Sequence, residues 1–307
     1  MIPASGVPLA CPLCHAPLLR REARLECPPC PRPDCPREFA FRDGFPDLVV
    51  GGRFEDEEDG ARVEYEEEAS AHAVSHYWAP IFRRLLRVAD RPPRLLAVGC
   101  GIGAEVDCLT DAGFDCMGVD CGERARAWSR RKRPEALVLA NGMHLPFADA
   151  TFDGAFCGCV FPHVGVEGDS AAVTGRHRED RRALAREMTR VVRSGGAIVL
   201  TSPNRLFPCD IFHGRESGSY RVRPYWPGDP FLLSVGDYRA LFVEAGCRSV
   251  EALPVEGYWG FTRSRRSLPG YLLGLPVRLA FWLASRDALG FLRPSPLLPW
   301  ISVLARR

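Results

Sequence analysis

Apolar residues in this chain fall into short blocks separated by longer amphipathic stretches. The blocks "RLLAVG", "DCMGVD", "ALVLAN", "FDGAFCGCV" and "GAIVLTSP" read as five buried strands. Between them, "AEVDCLTDAG", "GERARAWSRRK" and "DRRALAREMTRVV" repeat their apolar positions at helical spacing. Strands alternating with helices predict an α/β fold, a doubly wound and mostly parallel sheet covered on both faces. Upstream, "AHAVSHYWAPIFRRLLRVA" (71–89) predicts a helix that Pro80 bends or restarts. Downstream come a long loop (203–233), a helix "VGDYRALFVEAG", a strand near "SVEALPVE", an apolar, basic helical insertion over 263–293 and a last strand "WISVLA".

The first 70 residues lack this alternation. Residues 1–50 are rich in Cys and Pro and carry few apolar side chains, as a small domain held by something other than a core does. Residues 54–70 hold nine acidic side chains and one arginine, and 51–70 reads as a solvated acidic linker because like charges resist compaction. The expected division is therefore 1–50, the linker 51–70, and one large domain over 71–307.

The net charge of +2 argues against a polycation built for nucleic acid, and 46% hydrophobic residues are enough to fill a core. Lys132 is the one lysine among 40 basic residues, a bias we read as genomic. The start of the chain has no basic segment leading into a long apolar run, and the apolar stretch Leu268–Ala284 is interrupted by Pro269, Pro276 and Arg278. Both features predict a cytoplasmic protein without a secretory leader or membrane span. In a reducing compartment, clustered cysteines among the 13 point to metal rather than disulfides.

Cys11-Pro-Leu-Cys14 and Cys27-Pro-Pro-Cys30 have the spacing of paired zinc knuckles, in which thiolates three residues apart converge on one ion. Cys35 competes for a place. Cys11 and Cys14 are the expected Zn2+ ligands, completed by two of Cys27, Cys30 and Cys35. The first 50 residues carry six basic and six acidic side chains, so this module offers no electrostatic footprint for a phosphate backbone.

The strand "RLLAVG" runs into "GCGIGA", with Gly99, Gly101 and Gly103 on alternate positions and Asp120 ending the next strand. Such a loop lets backbone approach a ligand where side chains would clash. Alone it fits a dinucleotide as well as other nucleotide-like cofactors. The later stretches "ANGMHLPFADATFDGAFCG" and "EMTRVVRSGGAIVLTSPN" resemble, in order, motifs of class I S-adenosylmethionine (SAM)-dependent methyltransferases of the broad type 11 group, over roughly 94–250. The resemblance implies a Rossmann-like domain with SAM as cofactor. It implies backbone contact from Gly99, Cys100, Gly101 and Gly103, and ribose hydroxyls held by Asp120 beside Cys121. It further implies adenine recognition by Asn141, Gly142 and Met143, with Cys159 at the end of the fourth strand over the cofactor. Two positions depart from the family pattern: Ala97 stands where an acidic residue is usual, and Asn141 where Asp is usual. The stretch "FRDGFPDLV" also resembles the end of zinc-ribbon segments that precede some methyltransferases, a register that makes Cys35 the last ligand. "CPLCHAPL" is similar to the zinc-binding start of bacterial 23S ribosomal RNA guanine methyltransferases.

Methyl transfer needs alignment, exclusion of water and, for a poor nucleophile, a base. His163 after the fourth strand, and Asp210, His213 and Tyr220 in the long loop, are the candidate catalytic groups. Tyr77 and Trp78 of the 71–89 helix read as core residues close to the site. The basic, apolar segment 263–293 suits either a cap over the substrate or peripheral contact with lipid or an anionic partner. The expected activity is methyl transfer from SAM to a small or lipid-like metabolite. A ribosomal RNA base, or a non-catalytic interaction role, stands as the alternative.

Overall fold

A computed structural model describes residues 6–22, 24–28, 30, 32–54, 60–168, 170–210, 223–224, 229–259 and 268–307. Its centre is a seven-stranded sheet. Strand β5 (Arg94–Val98) lies between β6 (Asp115–Asp120) and β8 (Phe152–Gly158), and β7 (Leu137–Leu139) and β9 (Val192–Pro203) extend the parallel part on either side. Beyond β9, β13 (Trp300–Arg306) runs antiparallel and carries β12 (Ser249–Ala252) at the edge, giving the order β12-β13-β9-β8-β5-β6-β7. The near-continuous apolar strands suit a sheet covered on both faces. Helices α3 (Ala104–Asp111), α4 (His177–Val191) and α5 (Val235–Glu244) provide cover, with α5 opened by a Ser234–Asp237 capping box.

The chain runs outward from β5 through β6 and β7, then returns to add β8 on the other side of β5, which makes β5 the switch point of the sheet. A crevice for ligand is expected at the carboxyl end of such a strand, where Gly99 follows Val98.

The amino-terminal module forms a four-stranded sheet of β1 (Leu19–Arg21), β2 (Arg24–Glu26), β3 (Glu38–Arg42) and β4 (Phe45–Pro46). It is not a bead on a string. Asp47 bridges Leu139 of β7, Leu48 N–H donates to Leu139 O at 2.8 Å, and Ala10 N–H donates to Pro146 O at 2.8 Å. Cys11, Cys27, Cys35 and Leu48 share one apolar cluster with Leu96, Val98 and Met117 of the large sheet.

Three expectations need correction. The acidic stretch is not a loose linker among the described residues: helix α1 (Gly60–Ala73) takes up its second half and packs on α3. Two of the stretch's nine acidic side chains meet distant arginines, Glu66 pairing with Arg124 at 3.1 Å and Glu67 with Arg131. The helix expected over 71–89 is the continuation of α1, through a π-helical turn (Val74–Trp78) into α2 (Ala79–Leu85), with Pro80 at the start of α2 where its missing N–H costs nothing. The segment "ERARAWSR" coils as a 3-10 helix (Glu123–Arg130). The 263–293 insertion contains helix α6 (Leu268–Ser285), and no helix among the described residues is long and apolar enough to cross a membrane.

Candidate cofactor and metal sites

The glycine loop follows β5 with all three glycines in left-handed backbone, φ being 71° at Gly99, 52° at Gly101 and 77° at Gly103. At Gly99 a Cβ would also lie 2.2 Å from Val160 Cγ2, so the loop passes too close to the end of β8 for any side chain. Gly99→Ala is therefore expected to lose about 2–4 kcal/mol, combining left-handed strain with overpacking, read as a lower urea midpoint.

Asp120 organises this loop. Its Oδ2 accepts the Gly101 N–H at 2.7 Å and its Oδ1 accepts the Gly122 N–H at 2.8 Å. A carboxylate offers about four acceptor positions, enough for both loop N–H groups and ligand hydroxyls together. From the other side, the buried Trp128 donates its indole N–H to Gly101 O at 2.7 Å. Trp128 packs edge-on against Phe45 of β4 at 5.2 Å, tying the loop to the cysteine module. A narrow crevice beside Gly122 is lined by Phe45, Arg53, Ala125 and Leu139. The Glu66–Arg124 pair flanks Gly101, Glu66 Oε2 lying 3.5 Å from where a Cβ would sit.

Asn141 follows β7. Its Oδ1 accepts the Met143 N–H at 3.0 Å and its amide donates to Gly52 O at 3.0 Å, leaving one lone pair of the carbonyl. Gly142 passes close to Leu184 and Val98, where a Cβ would meet their methyls at 2.8 and 3.1 Å. Cys100 turns its thiol inward, against the position of a Cβ at Gly118, and burial pushes its pKa up. Only its backbone is available to a cofactor. Cys121 is half-buried beside Asp120. Cys159 closes β8 in left-handed backbone (φ 57°), its N–H donating to Thr201 O at 2.7 Å.

Among the catalytic candidates, His163 sits in a 3-10 turn (Phe161–His163) between Phe54 and Phe231, at ring distances of 6.0 and 5.5 Å. Asp210 is buried in β10 (Cys209–Asp210), which pairs with β11 (Arg223–Pro224). His213 and Tyr220 lie outside the described residues. Tyr77 and Trp78 are core groups: the Tyr77 hydroxyl donates to Pro254 O at 3.0 Å and pairs with the Ser302 hydroxyl, which can donate to it, and Trp78 packs against Phe156 at 4.8 Å.

Two features escaped the sequence. Tyr258, Trp259 and Trp300 form an aromatic cluster at the carboxyl end of the sheet, with ring distances of 5.0–5.5 Å, and Cys159 packs against the apolar group around them. Glu105, in the first turn of α3, is the second. Burial pushes its pKa up to about 7, with the Glu66 charge adding to that and the Trp78 indole N–H, 3.3 Å away, opposing it. A carboxyl of ordinary pKa near 4.3 when unfolded then releases a proton on unfolding throughout the window up to about 7. Stability should fall as pH rises through that window, by at most about 4 kcal/mol. Glu105→Gln keeps an acceptor for Trp78, and its melting temperature is expected to lose this dependence.

The five amino-terminal cysteines converge. The sulfurs of Cys11, Cys27 and Cys35, and those of Cys14, Cys27 and Cys30, lie within 4.8 Å of one another, with Cys11–Cys35 at 3.7 Å and Cys14–Cys27 at 3.5 Å. Sulfurs sharing a tetrahedral zinc stand about 3.8 Å apart, from a bond of about 2.3 Å. Cys27 belongs to both groups. As a free thiol its pKa is pushed up by burial and neighbouring sulfurs, and that of Cys11 rises to about 11 by burial. All 13 cysteines are free of disulfides.

A switch-point strand, a left-handed glycine loop and an acidic residue ending the adjacent strand define a Rossmann-like site for a nucleotide-like cofactor. Residues 96–200, about a third of the chain, match the family described as methyltransferase domain. A probable SAM-dependent methyltransferase of Mycobacterium tuberculosis is 30% identical over 157 residues, 47% of this chain and 51% of that protein. A demethylmenaquinone methyltransferase of Corynebacterium urealyticum is 32% identical over 124 residues, 40% of this chain and 46% of that protein. The chain thus spans about half the length of these curated relatives. Among solved structures, a phosphoethanolamine N-methyltransferase of Haemonchus contortus aligns at 14% identity and TM-score 0.45, over 88% of this chain and 62% of that one.

Proposed function

We propose that the chain transfers a methyl group from SAM to a small apolar or lipid-like acceptor, and that its cysteine module holds a structural zinc ion. The observation that carries the first part is the double hold of Asp120 on Gly101 and Gly122, which presents a carboxylate edge and a side-chain-free loop together at the switch point. When bound, SAM supplies an electrophilic methyl group; an acceptor electron pair takes it as the carbon–sulfur bond breaks, leaving S-adenosylhomocysteine. Asp120 would bind the ribose hydroxyls, Gly99 to Gly103 would pass beneath the methionine portion, and Asn141, Gly142 and Met143 would edge the adenine. His163, in the 3-10 turn after β8, would take a proton from the acceptor. The aromatic cluster of Tyr258, Trp259 and Trp300 offers the acceptor an apolar wall and excludes water. The names of two relatives, a demethylmenaquinone and a sterol C-methyltransferase, agree with an acceptor of that class.

For zinc, Cys11, Cys14 and Cys27 with either Cys30 or Cys35 supply four thiolates. The ion would fix the module whose Phe45 supports Trp128 and the glycine loop.

The test is incubation of the protein with methyl-labelled SAM and a total cellular extract divided into apolar metabolites and RNA. Label in the apolar fraction is expected. Label confined to RNA, or none in either fraction, overturns the acceptor assignment.

A further inference from the structure

Helix α6 exposes an apolar stripe that nothing in the chain covers among the described residues. Leu268, Tyr271, Leu272, Leu275, Leu279 and Trp282 recur at spacings of three and four, and are 72%, 42%, 53%, 42%, 56% and 45% exposed. In water such a continuous face is costly, and on a folded surface it marks an interaction site. The opposite side of α6 is committed. Val277, Phe281 and Ala284 pack on the group containing Trp300, Tyr258 and Cys159, so the helix roofs the acceptor end of the site.

Charge selects the occupant. Segment 263–293 carries six arginines and one aspartate in a chain whose net charge is only +2. Arg278 lies over the Tyr271 ring at 4.8 Å and Arg286 over the Trp282 ring at 4.9 Å, the latter also meeting Glu256. Leucines flanked by aromatic rings, with guanidinium groups beside those rings, match the boundary of a bilayer: apolar groups enter the acyl region, rings sit at headgroup depth and arginines meet phosphate. With Pro276 inside it and about 27 Å of length, α6 is suited to lying in that plane, and it does not meet the requirement for crossing.

We propose that the outer face of α6 docks the protein on an anionic phospholipid surface. Resting on the apolar-acceptor reading, it further puts the source of the acceptor in that membrane, against the outer side of the helix that roofs the site.

The test is sedimentation of the full chain with vesicles of phosphatidylcholine, alone and with phosphatidylglycerol added. Partition into the anionic vesicles is expected, weakened by salt and by Arg286→Gln, whose side chain is 47% exposed. In the double variant Leu272→Ser/Leu279→Ser it should fall on the order of ten-fold or more, with the far-UV spectrum unchanged because both side chains are exposed. Binding of S-adenosylhomocysteine, followed in parallel, should be the same in wild type and variant. No partition by a protein that still binds S-adenosylhomocysteine overturns the docking proposal. So does equal partition of wild type and double variant, or a concentration-dependent dimer that the same substitutions dissolve without any vesicle binding. Vesicle partition by a protein that never binds S-adenosylhomocysteine would instead defeat the methyltransferase reading and leave the docking surface standing.

Discussion

Cys27→Ser is expected to lose the metal altogether, to destabilise the whole chain and to weaken cofactor binding. Cys27 is the sulfur common to both close groups, so its loss leaves Cys11 with Cys35 and Cys14 with Cys30, two pairs that no close group unites around one ion. Serine is a poor zinc ligand, and structural zinc supplies apparent binding energy of order 10 kcal/mol in small modules. A loss of at least about 5 kcal/mol is therefore expected. The damage should not stop at the module, because its cysteines share an apolar cluster with the central sheet and Phe45 packs on Trp128, which holds Gly101. Metal content by mass spectrometry should drop from one zinc per chain to none, the melting temperature should fall, and affinity for S-adenosylhomocysteine should fall with it. Wild-type protein that contains no zinc and is insensitive to chelators would contradict the metal assignment. Comparison of Cys30→Ser with Cys35→Ser then identifies the spare thiol, since one of the two variants should retain full zinc.

Asp120→Ala is expected to weaken cofactor binding at least 100-fold. Two effects add. Charge-assisted hydrogen bonds to ligand hydroxyls are worth about 1.5–3 kcal/mol each, and losing them corresponds to roughly 10- to 100-fold apiece. The alanine also releases the N–H groups of Gly101 and Gly122, so the loop no longer has its fixed shape. Asp120→Asn separates the contributions: it keeps one acceptor for the loop and removes the charge, so its affinity should lie between wild type and alanine. A circular dichroism melt checks that both variants remain folded. Unchanged affinity in Asp120→Ala would remove this residue from the site.

Much of the site was legible because its parts are local in sequence. A strand, a glycine turn and the next strand put Gly99 and Asp120 side by side in any parallel βαβ unit, and two CxxC turns bring sulfurs together whatever surrounds them. The sheet followed from strand and helix periodicity. What stayed hidden depends on partners far along the chain. The acidic run read as repulsion until Arg124 and Arg131, some 60 residues later, gave Glu66 and Glu67 their counter-charges. No motif marks Trp128, and only the fold brings its N–H to the carbonyl of Gly101. The raised pKa of Glu105 and the aromatic cluster at the acceptor end likewise come from tertiary burial, to which periodicity is blind. Asn141, singled out as an adenine contact, proved to spend half of its hydrogen-bonding capacity on Met143 and Gly52, a use that no motif records.

The most direct test of the central claim is a calorimetric titration of the full chain with S-adenosylhomocysteine, with NAD as comparator. The account predicts saturable binding of S-adenosylhomocysteine in the micromolar range, abolished by Asp120→Ala, and no binding of NAD. Binding of NAD at this site, or no binding of S-adenosylhomocysteine to folded, zinc-loaded protein, would contradict it.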